Sequence, residues 1–343
     1  MKNILNLFLI FLSLVLVSCG NDNVVNSLVT TSDGVFLLSE GSFSAGSSKL
    51  SYYDITKDSF FVNVVNPYNL GAYPDGMIKH SGSLYITEQG NYGSAGKIYR
   101  ADLNATILSQ QSIGLNPFSL CASNDKLYST NGPSSNVLVI DPMSLNVLKE
   151  IPVGAYPQEI MSYNNRVFVC NTSMYGGASD STVSVIDAGT DAVVNTLHVD
   201  KDPSSLIVAN NNKLLVSSWS TAGKIYVFET VTFTLVETLY SPYGFSKDFS
   251  ADRFSNDVYF VGNDGDIIKL NMDTKQFTKI INKPALNSFI YGYVFDYISG
   301  KHFLADAKDF MSSGNLYIYD ANGSLLRQFE TGIAPRRFLI NIN

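Results

Sequence analysis

Aromatic and polar residues follow several short apolar segments of the chain, at points where turns are expected. Tyrosine and tryptophan rings offer a flat apolar surface with a polar group at the edge, and amide, carboxylate and guanidinium groups add hydrogen bonds. Together they would suit a large, flat, partly polar ligand, unless they fold back to cap hairpins or pack between repeats. The candidate ligand-binding residues are Tyr73, Asp75, Phe118, Asn131, Tyr156, Gln158, Tyr175, Trp219, Tyr243, Phe310 and Arg336.

Short catalytic motifs are missing from the sequence. It contains no G-x-S-x-G, H-E-x-x-H, C-x-x-C or phosphate-binding G-x-x-x-x-G-K-[ST] pattern. His80, His198 and His302 are far apart in the chain, so packed or solvated histidines are expected rather than a shared metal site. We therefore predict no catalytic residue, no metal and no cofactor, and a chain that is not an enzyme.

The elements that would position the candidate residues follow from a repeat. An acidic or amide residue ends an apolar segment seven times, at intervals of 39 to 49 residues. This spacing is typical of propeller blades made of four strands. The seven anchors are Asp54, Asp102, Asp141, Asp187, Glu229, Asn271 and Asp320.

A second marker keeps step with the first. Proline-containing turns such as "GAYPD", "GLNPF", "GAYPQ" and "GIAPR" recur once per unit, and "SPYGF" stands where one proline has moved. The fourth unit contains four strand-like segments, 158–163, 166–171, 182–187 and 192–197, and no helical periodicity. We expect the anchor side chains to accept backbone hydrogen bonds in turns, not to act in catalysis.

The two ends of the chain complement each other. "VFLLSEG" matches the second strand of a unit, and "RRFLINI" near the C-terminus matches a first strand. Pairing them in one blade would close a ring without an open sheet edge. The sequence predicts an all-β fold: a seven-bladed β-propeller with four antiparallel strands per blade, closed by the C-terminal strand on the N-terminal blade.

In such a propeller, two sets of loops meet on one face. The loop from each fourth strand to the next blade and the loop between strands two and three open on the same side. We call this side the mouth face, and it would collect the aromatic candidates together with Glu40, Glu88, Tyr92, Asn116 and Met311. The glycine-rich segment 171–182 is expected to form a mobile element over it. The opposite face is expected to carry short polar turns.

The first 33 residues differ from the rest. Lys2, an apolar run and "LVSC" have the layout of a lipoprotein signal, with cleavage before Cys19 and lipidation of that cysteine. We divide the chain into a signal peptide at 1–18, a lipidated Cys19 with a flexible tether at 19–33, and the propeller at 34–343.

Composition limits the classes of partner. The chain has 45% hydrophobic residues and a net charge of −7, and it lacks runs of Lys or Arg, so nucleic-acid binding is not expected. Besides Cys19 there are only Cys121 and Cys170, which lie in different repeats and are not expected to pair. We predict that the propeller is a monomer.

The segment "STVSVIDAGTDAVVNTLHVDKDPSSLIVANNNKLLVSS" resembles the YVTN type of propeller repeat found in YncE-like bacterial proteins. Together with "LVSC", which resembles a lipobox, and "LLSEGSFSAGSSKLSYYD", the repeat makes the chain resemble surface lipoproteins of Bacteroidetes, some of which assist corrinoid import. Trp219 is the only tryptophan, which argues against the tryptophan-rich quinoprotein dehydrogenases.

The resemblance implies a lipid-anchored protein of the outer membrane, on its cell-surface or periplasmic side. It would bind a small molecule, with a corrinoid such as cobalamin as one candidate, and pass it to a TonB-dependent transporter. Two alternatives stay open at this point. One is a scaffold that binds another protein through the mouth face, and the other is a propeller hydrolase such as a lactonase.

Overall fold

The computed structural model describes residues 33–42, 46–66, 70–173, 179–218 and 222–342. Within these ranges 28 strands form seven sheets of four antiparallel strands, and the helical content is one short 3₁₀ turn, Gly132–Ser134. The predicted seven-bladed β-propeller is therefore confirmed. The signal peptide, Cys19 and most of the tether lie outside the described residues, so the predicted division of the chain stays a prediction.

The strands follow one another blade by blade. The second to seventh blades run from the inner strand outwards, whereas the first blade begins at its second strand. Their bounds are β1 Gly34–Ser39, β2 Lys49–Asp54, β3 Ser59–Phe61; β4 Pro74–His80, β5 Ser83–Glu88, β6 Ala95–Ala101, β7 Ile107–Leu115; β8 Pro117–Ser123, β9 Lys126–Asn131, β10 Asn136–Ile140, β11 Val147–Pro152; β12 Pro157–Tyr163, β13 Arg166–Asn171, β14 Thr182–Asp187, β15 Ala192–His198; β16 Ser205–Val208, β17 Lys213–Ser217, β18 Lys224–Glu229, β19 Leu235–Tyr240; β20 Lys247–Ala251, β21 Asp257–Val261, β22 Ile267–Asn271, β23 Gln276–Ile281; β24 Ile290–Asp296, β25 Lys301–Asp306, β26 Ser313–Tyr319, β27 Leu325–Ile333; and β28 Pro335–Asn341.

The ring closes as the sequence predicts. The C-terminal strand β28 is the inner strand of the first blade and pairs antiparallel with β1, with Gly34 opposite Asn341 and Leu37 opposite Phe338. The blade order is β28, β1, β2, β3. Because the two chain ends share one sheet, the ring cannot open without breaking their backbone hydrogen bonds.

Alternating side chains along the middle strands hold neighbouring blades together. In β1, Phe36 and Leu38 pack against the second blade, whereas Val35 and Leu37 pack against the seventh. This is the period of two that a strand imposes on its side chains. Each of the seven hydrophobic clusters lies between two adjacent blades. The blades are therefore stabilised by their neighbours, not by a single central core.

The anchor residues have the predicted role in turns. Asp187 accepts hydrogen bonds from the backbone N–H groups of Gly189 and Thr190, and Asn271 does the same for Asp273 and Thr274. Asp54, Asp102, Asp141 and Asp320 also accept backbone N–H bonds in their turns. Glu229 differs, since its carboxylate pairs with Lys213.

The opposite face carries exposed apolar side chains as well as the expected short polar turns. Met143, Val231, Phe254 and Ile298 lie in its turns and are well exposed. A turn fixes the backbone with only one or two of its residues, so its remaining positions accept apolar side chains.

Cys121 and Cys170 are buried and free. Burial raises the pKa of both thiols, so they behave as small apolar side chains. No helix within the described residues is long and apolar enough to cross a membrane.

His302 is fully buried in β25, among the rings of Tyr259, Tyr293 and Phe295. Its Nδ1 lies 2.8 Å from the Tyr293 hydroxyl, and its Nε2 has no hydrogen-bond partner. Burial lowers the pKa of His302 to about 4. The folded protein therefore keeps this imidazole neutral, whereas the unfolded chain binds a proton there below its ordinary pKa.

This difference predicts that acid destabilises the propeller through His302. The stabilising effect is present above the unfolded pKa and is lost as the pH falls from about 6.5 towards 4. Between pH 7 and pH 5 the free energy of unfolding should fall by about 2 kcal/mol more in the wild type than in His302→Gln. Urea unfolding of both proteins at the two pH values measures this, and equal losses would contradict it.

Candidate functional site

A cavity of about 810 Å³ opens in the centre of the mouth face. Residues from six of the seven blades line it, which explains why they are scattered along the sequence. Its lining combines aromatic rings with amide and charged groups: Glu40, Tyr73, Gln89, Gly90, Asn91, Tyr92, Asn116, Phe118, Tyr156, Gln158, Lys247, Tyr291, Phe310 and Arg336. A concave site with few charged groups among rings is typical of small-molecule binding.

A repeated backbone conformation presents part of this lining. Tyr73, Asn116 and Tyr156 each precede the proline that begins an inner strand, and their φ angles are 53°, 47° and 41°. Left-handed backbone is uncommon for residues other than glycine and often marks functional loops. Ala334 has the same conformation (φ 50°) before Pro335, so the turn belongs to the blade design and only its side chain varies.

The floor of the cavity carries four interacting groups. The Tyr291 hydroxyl donates a hydrogen bond to Glu40 Oε1 at 2.9 Å. Lys247 Nζ lies 4.1 Å from the centre of the Tyr291 ring, and the Arg336 guanidinium carbon lies 5.3 Å from it. One aromatic ring therefore contacts two cationic groups and bonds a carboxyl group.

Below the floor, five charged residues from four inner strands meet on the propeller axis. We call Asp75, Glu159, Asp248, Arg336 and Arg337 the axial ion cluster. Arg337 Nη2 binds Asp75 Oδ1 at 2.7 Å and Glu159 Oε1 at 2.9 Å, while Arg336 Nη1 binds Asp248 Oδ2 at 3.0 Å. Arg336 Nη2 also reaches Glu159 at 3.3 Å. The cluster has one more carboxylate than guanidinium groups.

This charge distribution moves two pKa values towards neutrality. Burial, and then the charge of Asp75, raises the pKa of Glu40 to about 7, although Arg336 and the Tyr291 bond act in the opposite direction. Burial, and then Arg336, lowers the pKa of Lys247 to about 7, opposed by nearby carboxylates. A carboxyl and an amino group that both titrate near pH 7 can exchange protons with a ligand.

The structure brings six of the predicted site residues into this cavity. These are Tyr73, Phe118, Tyr156, Gln158, Phe310 and Arg336. Asp75 lies beneath it, fully buried against Arg337, with Oδ2 unpaired. Tyr175 and Trp219 lie outside the described residues, as does the middle of the glycine-rich segment.

Two predicted site residues have structural contacts instead. Asn131 is buried and accepts a hydrogen bond from the Leu115 backbone N–H while its amide donates to Asn136. Tyr243 packs at the edge of the cluster between the fifth and sixth blades, with Lys279 over its ring. Both lie at the mouth-face end of the propeller, as expected, but their side chains contact strands and turns of the blades and not the cavity.

Sequence reasoning missed Lys247 and Tyr291 as well as Glu159, Asp248 and Arg337. All five lie on the first three positions of inner strands. Inner strands surround the axis, where a charged side chain loses water and needs a partner. A charged residue in the first three positions of an inner strand was the available signal for four of them; it was used for Asp75 and Arg336 and not extended to the other inner strands. Tyr291 carries no such signal.

Within the described residues no cluster of His, Cys, Asp and Glu side chains is arranged to hold a metal ion. The carboxylates of the axis are instead neutralised by guanidinium groups, as the distances above show. The chemistry that the described floor offers is proton transfer and charge stabilisation by side chains.

Comparison with known proteins shows the fold. No family model matches the sequence, and no curated protein matches it. A quinoprotein alcohol dehydrogenase-like protein of Bacteroides thetaiotaomicron superposes with a TM-score of 0.71 and 17% identity, over 90% of this chain and 78% of the other. A Bacteroides fragilis protein described as a 6-phosphogluconolactonase gives 0.67 and 11%, over 92% and 99%. The periplasmic gluconolactonase of Pseudomonas aeruginosa gives 0.65 and 14%, over 90% and 98%.

The prediction that the chain is not an enzyme is contradicted by this comparison, since two propellers of the same architecture are described as lactonases. That prediction was based on the absence of short catalytic motifs from the sequence. Here the charged groups at the mouth come from strands and loops of separate blades, so no short motif would reveal a reacting set. The comparison does not bear on the YncE-like lipoprotein resemblance or on corrinoid binding.

The axial ion cluster predicts a large effect on stability. Arg337→Met would leave Asp75 and Glu159 without their main partner in a buried setting, at a cost of about 3 kcal/mol or more. Lys213→Met is the matched control, because it breaks the more exposed pair with Glu229 and should cost less than about 1 kcal/mol. Denaturant unfolding compares the two. Equal, small losses would show that the axial charges are solvated.

Proposed function

We propose that the mouth cavity binds a small, partly polar molecule and that Glu40 acts on it as a general acid and base. The observation that carries the proposal is the carboxyl group of Glu40, which borders the cavity with a pKa of about 7 and is held in place by Tyr291. The cavity volume lies within the range of about 300 to 1,000 Å³ that is usual for small-molecule sites.

The reaction class that we propose is hydrolysis of a lactone. Ionised Glu40 would take a proton from a water molecule as its oxygen attacks the ring carbonyl carbon. The negative oxygen that forms would be stabilised by the fixed charge of Arg336, which lines the same cavity. When the ring C–O bond breaks, Glu40 would return the proton to the leaving oxygen, giving a hydroxy acid. The lactonases among the similar propellers support this choice of substrate class.

A general base at this position predicts a specific loss of activity. Glu40→Gln keeps the size of the side chain but cannot accept the proton, so kcat/KM for lactone hydrolysis should fall by about 100-fold or more. In the wild type kcat/KM should rise with pH through about 7 and then level, because the ionised carboxylate is the active form. Acid release from glucono-δ-lactone above the buffer rate measures both.

Glu330→Gln is the matched control, since this carboxylate is exposed on the outer strand β27 of the seventh blade. It should leave hydrolysis unchanged. A wild type that hydrolyses no lactone of a sugar-sized panel, or a Glu40→Gln protein with full activity, would overturn the hydrolase proposal.

A second candidate function is the capture of a larger ligand for uptake. Exposed apolar side chains lie on loops of the mouth face, with Leu286 97%, Met311 71% and the cavity residue Tyr92 69% exposed. These side chains would suit a ligand that extends beyond the cavity, for which a corrinoid is our candidate. In this proposal the chain, anchored at the outer membrane through Cys19, hands the ligand to a TonB-dependent transporter.

A thermal-shift series tests this second function. The full chain is heated with cobalamin, cobinamide, haem or a sugar lactone at saturating excess. A ligand present at about 100 times its Kd should add roughly 2.7 kcal/mol of stability. The corrinoid candidate predicts a shift that is lost in Tyr92→Ser but kept in Tyr240→Ser, which changes an equally exposed tyrosine of an outer strand. If neither cobalamin nor cobinamide raises the melting temperature, the corrinoid proposal is wrong.

A further inference from the structure

Lys247 is the one group of the cavity floor that the hydrolysis leaves unused. It begins the inner strand β20 of the sixth blade, and its side chain borders the cavity. Its amino group donates to the backbone oxygen of Tyr291 at 3.3 Å. Among the described residues no carboxylate lies within ion-pairing distance of Nζ, although most buried lysines have such a partner.

Two aromatic rings contact this amino group, whereas the carboxylates of Asp248, Glu40 and Asp75 act on it only from beyond ion-pairing distance. Nζ lies 4.1 Å from the centre of the Tyr291 ring and 5.6 Å from that of Phe289. The rings remove water from the amine, and the Arg336 guanidinium on the same Tyr291 ring adds a like charge. Desolvation and a neighbouring cation are the two conditions under which a lysine becomes a nucleophile at neutral pH.

The proton transfers that a lysine nucleophile needs can be provided by Glu40. Both side chains border the same cavity, and each influences the charge state of the other. Tyr291 connects them, since its ring contacts Lys247 and its hydroxyl bonds Glu40. A group that titrates near neutral pH can both protonate a leaving hydroxyl and take the proton back.

We propose that Lys247 forms a Schiff base with a ligand that carries an aldehyde or ketone group. The neutral amine attacks the carbonyl carbon, a proton moves from nitrogen to oxygen, and the product is a carbinolamine. Protonation of its hydroxyl by Glu40 releases water and leaves an iminium ion, which the Tyr291 and Phe289 rings stabilise through their faces. Carbonyl, amine and the Glu40 proton thus give iminium ion, water and ionised Glu40, with no oxidant or reductant.

This inference rests on the cavity of the proposed function but not on lactone hydrolysis. A sugar-sized aldehyde would fit the cavity, and the amide groups of Gln89, Asn91 and Gln158 would meet its hydroxyl groups. The two activities use different nucleophiles, water in one and the lysine amine in the other. They can therefore succeed or fail separately.

Reductive trapping tests the Schiff base. The full chain is treated with glycolaldehyde and sodium cyanoborohydride, which converts the imine to a stable secondary amine, and modified lysines are mapped by mass spectrometry. At pH 7.5 Lys247 should be labelled roughly 100-fold faster than an exposed lysine of ordinary pKa, because far more of it is neutral. The labelling rate should rise with a midpoint near pH 7.

Variants separate this from general lysine reactivity. Lys247→Met and Lys247→Arg should abolish the fast label, whereas Lys283→Arg, on a mouth-face loop, should leave it unchanged. We use two replacements of Lys247 because the test needs only one of them to fold. Equal labelling of Lys247 and the surface lysines, or fast labelling that persists in either variant, overturns the proposal. If Lys247 is labelled fast but the protein hydrolyses no lactone, the Schiff-base proposal is supported and the hydrolase proposal is wrong.

Discussion

The pairing of the C-terminal strand with the first strand of the chain is the constraint on which the rest of the structure depends. It closes the ring, and it also places Arg336 and Arg337 on the propeller axis. Three carboxylates from other inner strands meet there and are neutralised by these two guanidinium groups. If β28 were absent, the carboxylates of Asp75, Glu159 and Asp248 would face one another without a counter-charge. The same strand therefore closes the ring and balances the charge on the axis.

The site at the mouth follows from that balance. Arg336 belongs both to the axial ion cluster and to the cavity floor, so the charge fixed on the axis reaches the groups that a ligand would meet. Burial, and then the carboxylate charge of Asp75, favours a proton on Glu40, while burial, and then the Arg336 guanidinium, disfavours one on Lys247. Charge interactions are stronger where water is excluded. The side chains of Glu40 and Lys247 therefore acquire pKa values suited to proton transfer at neutral pH.

The sequence predicted the fold well because a propeller repeats its local rules. Turn acids such as Asp187, proline turns and alternating apolar segments recur in every blade, and each marker is local in the chain. The site was predicted only in part. Loop aromatics such as Tyr73 and Phe310 could be placed on the mouth face by topology. Whether a side chain turns to the cavity, as these do, or bonds within and between blades, as Asn131 does, depends on packing. Lys247 and Tyr291 were missed because their role comes from neighbours on other blades.

The measurement that tests this account most directly is the titration of the Glu40 carboxyl group. Carbon-13 NMR of protein labelled at glutamate side chains, with Glu40→Gln to assign the signal, follows its protonation from pH 4 to pH 9. We predict a midpoint near 7, well above the usual glutamate pKa of about 4.3. A midpoint near 4 would show that the cavity floor is hydrated and that the axial charges do not reach it, which would contradict the proposed acid–base role of Glu40.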